Sequence, residues 1–308
     1  MSTRSRRPDT GVSRGPAHLT GGLRSGVRPS PIITNVAAPV KHPGKTFGRW
    51  AGGFALSSLV AALARRAGVL RTTGSIGGAA LGTLIMATGG TAWGTLLFAF
   101  FASASALTRM PGRTQDATGR TGRQVLSNGA TAALAAALHA RGIRRARSAF
   151  AGAVATAWAD TWATEVGLRW GGAPRLLTTG GRVAPGSSGG VTPLGTAAGL
   201  LGALLCGAIC GRLGIAPAFS TALAGSAGML CDSLLGATIQ LRYRCPVCGL
   251  EGERRRCACG AARARIRGLP WMDNDAVNAC ATAAGALLAA WAPGRPMRRT
   301  ELTGSDRS

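Results

Sequence analysis

Hydrophobic positions along the chain fall into long runs separated by short polar stretches that carry arginine. The runs occupy about 50–64, 74–90, 91–107, 125–140, 146–168, 189–211, 215–241 and 275–293. Runs this long and uniform predict helices that cross a bilayer, for which ~20 apolar residues are needed. Several are short for that task, so the pattern predicts about six to eight spans rather than a fixed number. A large soluble helical core is the competing reading, and eight such runs weigh against it. Glycine and other small residues recur inside them, as in GSIGGAALGTLIMATGG (74–90), and permit close helix packing in lipid. The fold class expected is all-α, a polytopic integral membrane protein.

Charge refines the picture. Lys and Arg total 36 against 11 Asp and Glu, a formal net charge of +25. Such an excess can mark nucleic-acid binding. Here it is concentrated in the N-terminal stretch and in short loops beside apolar runs, as juxtamembrane charges are. One Tyr and 5% aromatic residues offer no platform for stacking bases. Loops 108–124, 169–188 and 242–274 together carry fifteen Lys/Arg, whereas 141–147 and 212–214 carry five. The first set is therefore expected on the cytosolic side. The stretch through residue 49, with nine Lys/Arg, is expected there too, which requires an even number of spans before residue 108. Three apolar runs lie in that interval, so either one is re-entrant or 74–107 forms one broken span.

The domain layout expected is a disordered basic tail at 1–46, a transmembrane catalytic domain at 47–293 and a polar tail at 294–308. The first segment is rich in Arg, Ser, Pro and Gly, with Asp9 its one acid, and lacks the apolar region of a secretory signal. It reads as a disordered cytosolic tail or as a transit peptide. The first places the protein in a bacterial inner membrane, the second in a plastid membrane.

Few acids occur, yet several fall inside apolar runs. Asp160 and Glu165 stand in AWADTWATEVG (157–167), and Asp232 in GMLCDSLLGATIQ (228–240). Inserting an ionised Asp at mid-bilayer costs about 2.5–3.5 kcal/mol, so such groups are expected to face a cavity, a cation or a basic partner. Asp160 and Glu165 are about 140° apart around a helix and do not stack; Asp160 aligns with Thr164, and Thr161 with Glu165. LPWMDNDAVN (269–278) adds Asp273, Asn274, Asp275 and Asn278 where the last run begins. Capping of the helix start explains Asp273 and Asp275 equally well, but neither Asp160 nor Asp232.

The loop at 169–196, RWGGAPRLLTTGGRVAPGSSGGVTPLGT, offers Arg175, Thr178, Thr179, Gly180 and further glycines and hydroxyls. Exposed N–H groups, hydroxyls and guanidinium forks suit phosphate oxygens, although an ordinary surface turn has the same composition. No GxxxxGK[ST] motif is present. The three His (His18, His42, His139) form no nucleophile–base pair with a serine. Acids and a phosphate-friendly loop on one membrane face suggest Mg²⁺ and a nucleotide. RYRCPVCGLEGERRRCACG (242–260) carries Cys245, Cys248, Cys257 and Cys259, four thiolates spaced for a small structural zinc knuckle in a Cys-rich loop at 244–260; reduced cysteines in a flexible basic loop are the alternative.

Taken in order, ADTWATEVG, PRLLTTGGRVAPGSSGGVTPLGT, DSLLGATIQ and DNDAVN resemble the integral-membrane family that contains plant phytyl-phosphate kinase and animal transmembrane protein nineteen. LRTTGSIGGAALG and RQVLSNGATAALAA also fit, and the likeness covers roughly 50–293. The resemblance implies a kinase that converts a prenyl (phytyl-like) monophosphate to the diphosphate with CTP as donor. It also implies distant kinship with dolichol kinase and CDP-diacylglycerol synthase. On that basis Asp160, Glu165, Asp232, Asp273 and Asp275 are catalytic candidates, the first three as magnesium ligands. Arg175, Thr178, Thr179 and Gly180 are candidates for the donor phosphates, with Asn274 and Asn278 as polar support. The Cys-rich insert departs from plant-type members. The alternatives are a CDP-lipid-forming cytidylyltransferase and a non-enzymatic transporter or lipid-binding protein.

Overall fold

The computed structural model describes residues 43–110 and 119–292. Residues 1–42, 111–118 and 293–308 lie outside the described residues, and with them most of the expected basic tail and the whole of the polar tail at 294–308. Seven helices are described: α1 (Pro43–Arg66), α2 (Thr72–Arg109), α3 (Gly122–Ala140), α4 (Ala146–Trp170), α5 (Pro193–Arg212), α6 (Ala218–Thr238) and α7 (Asn274–Trp291). The first helix thus begins at Pro43, inside the segment expected to be a tail. α1, α2, α5 and α6 are each long and apolar enough to cross a membrane, and α3, α4 and α7 pack among them.

α2 settles the uncertainty over the two runs at 74–107. Straight, its 38 residues would measure about 57 Å against a hydrocarbon layer of about 30 Å. It is broken at Gly90, whose φ of 78° and ψ of −169° lie outside the helical region and are open to glycine alone without strain. The chain doubles back there. Arg71 N–H donates to the Arg120 carbonyl at 3.0 Å, while the Arg120 guanidinium donates to Thr108 Oγ1 at 3.3 Å, so both ends of α2 meet one residue. The Gly90 turn sits instead beside Arg49, near the start of α1. The halves 72–89 and 91–109 are therefore two antiparallel passages of about 27 Å each.

α1 and the two halves of α2 make three passages before residue 108. The expectation of an even number is overturned, and with it the placing of residue 49 on the same side as the charged loops. The physical reason is the glycine turn, which gives each half its own crossing. α5 and α6 are also long and apolar enough to cross, whereas α3, α4 and α7 pack among these helices without meeting that measure themselves.

α4 occupies the centre, packed against α2, α3, α5, α6 and α7, with an almost continuous buried stretch from Phe150 to Ala159. Small residues allow this. A Cβ on Gly285 would lie 2.0 Å from Thr156 Oγ1, one on Gly152 2.3 Å from the Gly285 carbonyl oxygen, and one on Gly225 2.6 Å from Ala155 Cβ. α5 approaches as closely, with Gly195 against the Ala163 carbonyl and Gly199 against that of Ala159. Outward-facing Leu and Phe on α1, α5 and α6, such as Leu204 and Phe219, remain exposed, as a lipid-facing surface requires.

Strands too short for the sequence pattern to reveal join the loops on the face where α4 and α6 end. β1 (Arg175–Leu176) pairs antiparallel with β2 (Gly190–Val191). β3 (Arg242–Arg244) lies between β4 (Glu251–Gly252) and β5 (Ala264–Arg267) in an antiparallel sheet that carries the cysteine loop.

Epitopes inserted before Phe47 and at Gly142 should be reached from one side of sealed membrane vesicles, and one at Gly180 from the other. Labelling of the first and last from the same side would refute the folded-back α2. Gly285→Val should force α4 from α7 and destabilise the protein by about 1–3 kcal/mol or more, read as a lower melting temperature in detergent.

Candidate functional site

α4 carries its acids at the end of the buried stretch, and neighbouring helices complete the surroundings. A cavity of about 1280 Å³ is lined by Asp160, Thr161, Thr164 and Glu165 of α4, Asp232 of α6, and Asn274 and Asn278 of α7. Asp160 and Asp232 lie within electrostatic reach of each other. Asp232 Oδ2 is buried without a hydrogen-bond partner. Two carboxylates converging in this way are hard oxygen donors of the kind that hold a divalent cation, and the unpartnered oxygen fits that use.

Glu165 lines the same cavity but is otherwise engaged. Thr108 Oγ1 donates to its Oε1 at 2.8 Å, and Arg169 Nη1 pairs with its Oε2 at 2.6 Å. Arg169 also donates to the Thr108 and Met110 carbonyls, so this buried pair ties the end of α2 to α4. The 140° offset on the helix separates the acids: Asp160 faces Asp232, and Glu165 faces α2.

Asp273 is the N-cap of α7, its Oδ1 accepting from Ala276 N–H at 3.0 Å, as the capping alternative anticipates. Arg123 of α3 bridges it to Asp275, at 2.6 and 3.3 Å. Burial opposes ionisation of Asp273, but the Ala276 N–H and the Arg123 guanidinium outweigh it, and its carboxyl titrates below the usual range. Neither Asp273 nor Asp275 lines the cavity. Arg175, Thr178, Thr179 and Gly180 do not line it either: Arg175 lies in β1 and the other three in the exposed turn after it, where Arg175 Nη1 donates to the Gly180 carbonyl at 2.9 Å.

Polar groups overlooked in the sequence do reach the cavity. Arg109 and Arg120 stand at its end nearest the hairpins, with Gln124 and Asn128 of α3 beside them. RQVLSN (123–128) carried the signal, since Gln124 and Asn128 sit four apart at the start of an apolar run, as Asp160 and Thr164 do. From that polar end the cavity continues between α1, the halves of α2 and α3 along apolar side chains, among them Leu59, Phe98 and Phe101.

The cysteine loop stands apart. Cys245, Cys248, Cys257 and Cys259 place their sulfurs within 4.8 Å of one another, with separations of 3.6 Å (245–259), 3.4 Å (248–257) and 3.9 Å (248–259). A tetrahedron with ~2.3 Å metal–sulfur bonds has edges of about 3.8 Å, so the four thiols can hold a metal such as zinc. The Cys259 backbone N–H and the neighbouring thiols bring the Cys257 thiol down to about 6, which favours the ligating thiolate. The insert is keyed to the membrane body: Arg242 donates to Ser188 Oγ at 3.2 Å, Arg267 to the Gly236 carbonyl at 3.0 Å, and Gln240 to Glu253. Burial raises the Glu253 carboxyl above its usual range, although Arg242 opposes this.

Known proteins place these features in a family. The pattern described as integral membrane protein DUF92 matches residues 55–286. The membrane protein MJ0933 of Methanocaldococcus jannaschii is 31% identical over 199 residues, 59% of this chain and 79% of its own length. Protein PGR of Arabidopsis thaliana is 35% identical over 139 residues, 39% of this chain and 45% of its own length. No solved structure matches. The family pattern covers about three quarters of the sequence and includes both acidic helices, α4 and α6. The chain belongs to the integral-membrane DUF92 family.

Proposed function

We propose that the protein is a CTP-dependent kinase that converts a prenyl monophosphate to the diphosphate at the cytosolic membrane face. The observation that carries this reading is the cavity itself. Facing carboxylates and basic side chains lie at one end, and a long apolar space for a hydrocarbon chain lies at the other. In the reaction an oxygen of the acceptor phosphate attacks the γ-phosphorus of the nucleotide, the bond from that phosphorus to its bridging oxygen breaks, and CDP leaves. Asp160 and Asp232 would hold Mg²⁺, which would supply positive charge to offset that of the phosphates during transfer. Arg109 and Arg120 attract the anionic phosphates to the polar end, and Asn274 and Asn278 orient them through amide hydrogen bonds. The buried Glu165–Arg169 pair holds the end of α2, and with it Arg109, against α4. The four-cysteine loop would hold a structural zinc that keeps the insert folded beside the N-terminus of α7.

Membranes incubated with CTP, Mg²⁺ and a panel of prenyl monophosphates should yield prenyl diphosphate and CDP. Pyrophosphate release would instead indicate a CDP-lipid-forming cytidylyltransferase. Absence of CTP turnover would favour the transport reading, in which buried acids relay ions. Asp160→Asn and Asp232→Asn should each lower phosphoryl transfer by about 10²-fold or more, by analogy with losing one preorganised electrostatic group; transfer at the wild-type rate would remove them from the site.

The insert makes a separate prediction. Purified protein should carry about one zinc per chain, and Cys257→Ser should lose it and make residues 244–260 sensitive to protease. Metal content unchanged in that variant would refute a four-thiolate site.

A further inference from the structure

The second half of α2 runs in the same direction as α4, and their contacts give the register. Trp93 stacks on Phe150, Phe100 lies against Trp158, and Trp162 Nε1 donates to Ser103 Oγ at 3.3 Å. Asp160 is therefore level with about residue 102 of α2. The cavity continues past that level to Gly94 and Thr91, a further ~12–16 Å at 1.5 Å per residue. Met86, from the other half of α2, closes on Gly94: a Cβ there would lie 2.7 Å from Met86 Cγ. Beyond, the turn at Gly90 and the stacked Trp93, Phe150 and His139 block the way.

We infer that the folded-back α2 measures the hydrocarbon chain of the acceptor, with Met86 and Gly94 forming the floor that sets chain length. The inference rests on the prenyl-acceptor reading above. An extended chain advances about 1.2 Å per backbone bond, so ~12–16 Å takes up about three isoprene units below the acidic pair. The floor responds to side-chain volume. Gly94→Leu fills the last part of the channel from one half of α2, and Met86→Ala opens it from the other. The two substitutions therefore act in opposite directions on chain length, which a general loss of folding cannot reproduce.

Two readouts on C10, C15 and C20 prenyl monophosphates test this with purified protein in lipid nanodiscs: CTP-dependent turnover, and thermal stabilisation without nucleotide. Gly94→Leu should lower the C20-to-C10 ratio by about tenfold or more, and Met86→Ala should raise it, a range known for single-methylene discrimination in apolar pockets. Ratios equal to wild type in both variants would overturn the ruler while leaving the kinase reading intact. Chain-length-dependent stabilisation that shifts in the two variants, without turnover, would uphold the channel and sink the kinase reading. Neither stabilisation nor turnover with any chain in the wild type would overturn both.

Discussion

Gly152 comes so close to the Gly285 carbonyl that no side chain fits between α4 and α7, and the same holds where Gly225 meets Ala155 and Gly199 meets the Ala159 carbonyl. These contacts allow other helices to enclose α4. A lipid-facing helix must be apolar around its circumference, because hydrocarbon solvates neither carboxylates nor hydroxyls. Enclosure lifts that restriction. Thr156 can be buried, donating to the Gly152 carbonyl at 2.9 Å, and Asp160 can follow one turn later. α4, which bears Asp160 and Glu165, falls outside the set long and apolar enough to span alone. Its position depends on packing.

The acids are then sorted by partner. Glu165 is held by Arg169 and Thr108, and Asp273 and Asp275 by Arg123, while within the described residues no ion pair reaches Asp160 or Asp232. A carboxylate placed deep in a bilayer without a protein cation is costly. Two carboxylates together add repulsion to desolvation. Glu165, Asp273 and Asp275 have their cations in place, so they tie helices together: Glu165 holds α2 to α4, and the other two hold α3 to the start of α7. Asp160 and Asp232 instead share the cavity, with Asp232 Oδ2 buried and unpartnered.

Much of this was legible in the sequence because lipid makes acids conspicuous. Asp160, Asp232, Asn274 and Asn278 stood out against apolar runs and do converge, and the cysteine spacing led directly to a four-sulfur cluster. Arg175, Thr178, Thr179 and Gly180 lie outside this cavity: a surface turn and a phosphate loop share glycines, hydroxyls and an arginine, and composition does not say whether a loop turns inward. Arg120, Gln124 and Asn128 were missed for the opposite reason. Polar residues at the end of an apolar run look like an ordinary helix start until α4 and α7 are set against them. The two- to four-residue strands leave too short a pattern to read.

Gly90 is the hardest position to judge from sequence, and it has two effects. In an apolar run, a glycine serves close packing as readily as a break, and only the return of α2 to Arg120 distinguishes them. Once the break is granted, residue 49 moves to the face opposite the charged loops. The charge argument survives this change. Arg24, Arg28, Lys41, Lys45 and Arg49 lie within about 20 residues of the start of α1 and raise the opposite face from five Lys/Arg to ten, still below the fifteen of the loop set. Residues farther out count little toward orientation. The same turn gives the cavity a wall from each of the two halves of α2. A straight helix would leave α1 and α3 without the second of those walls.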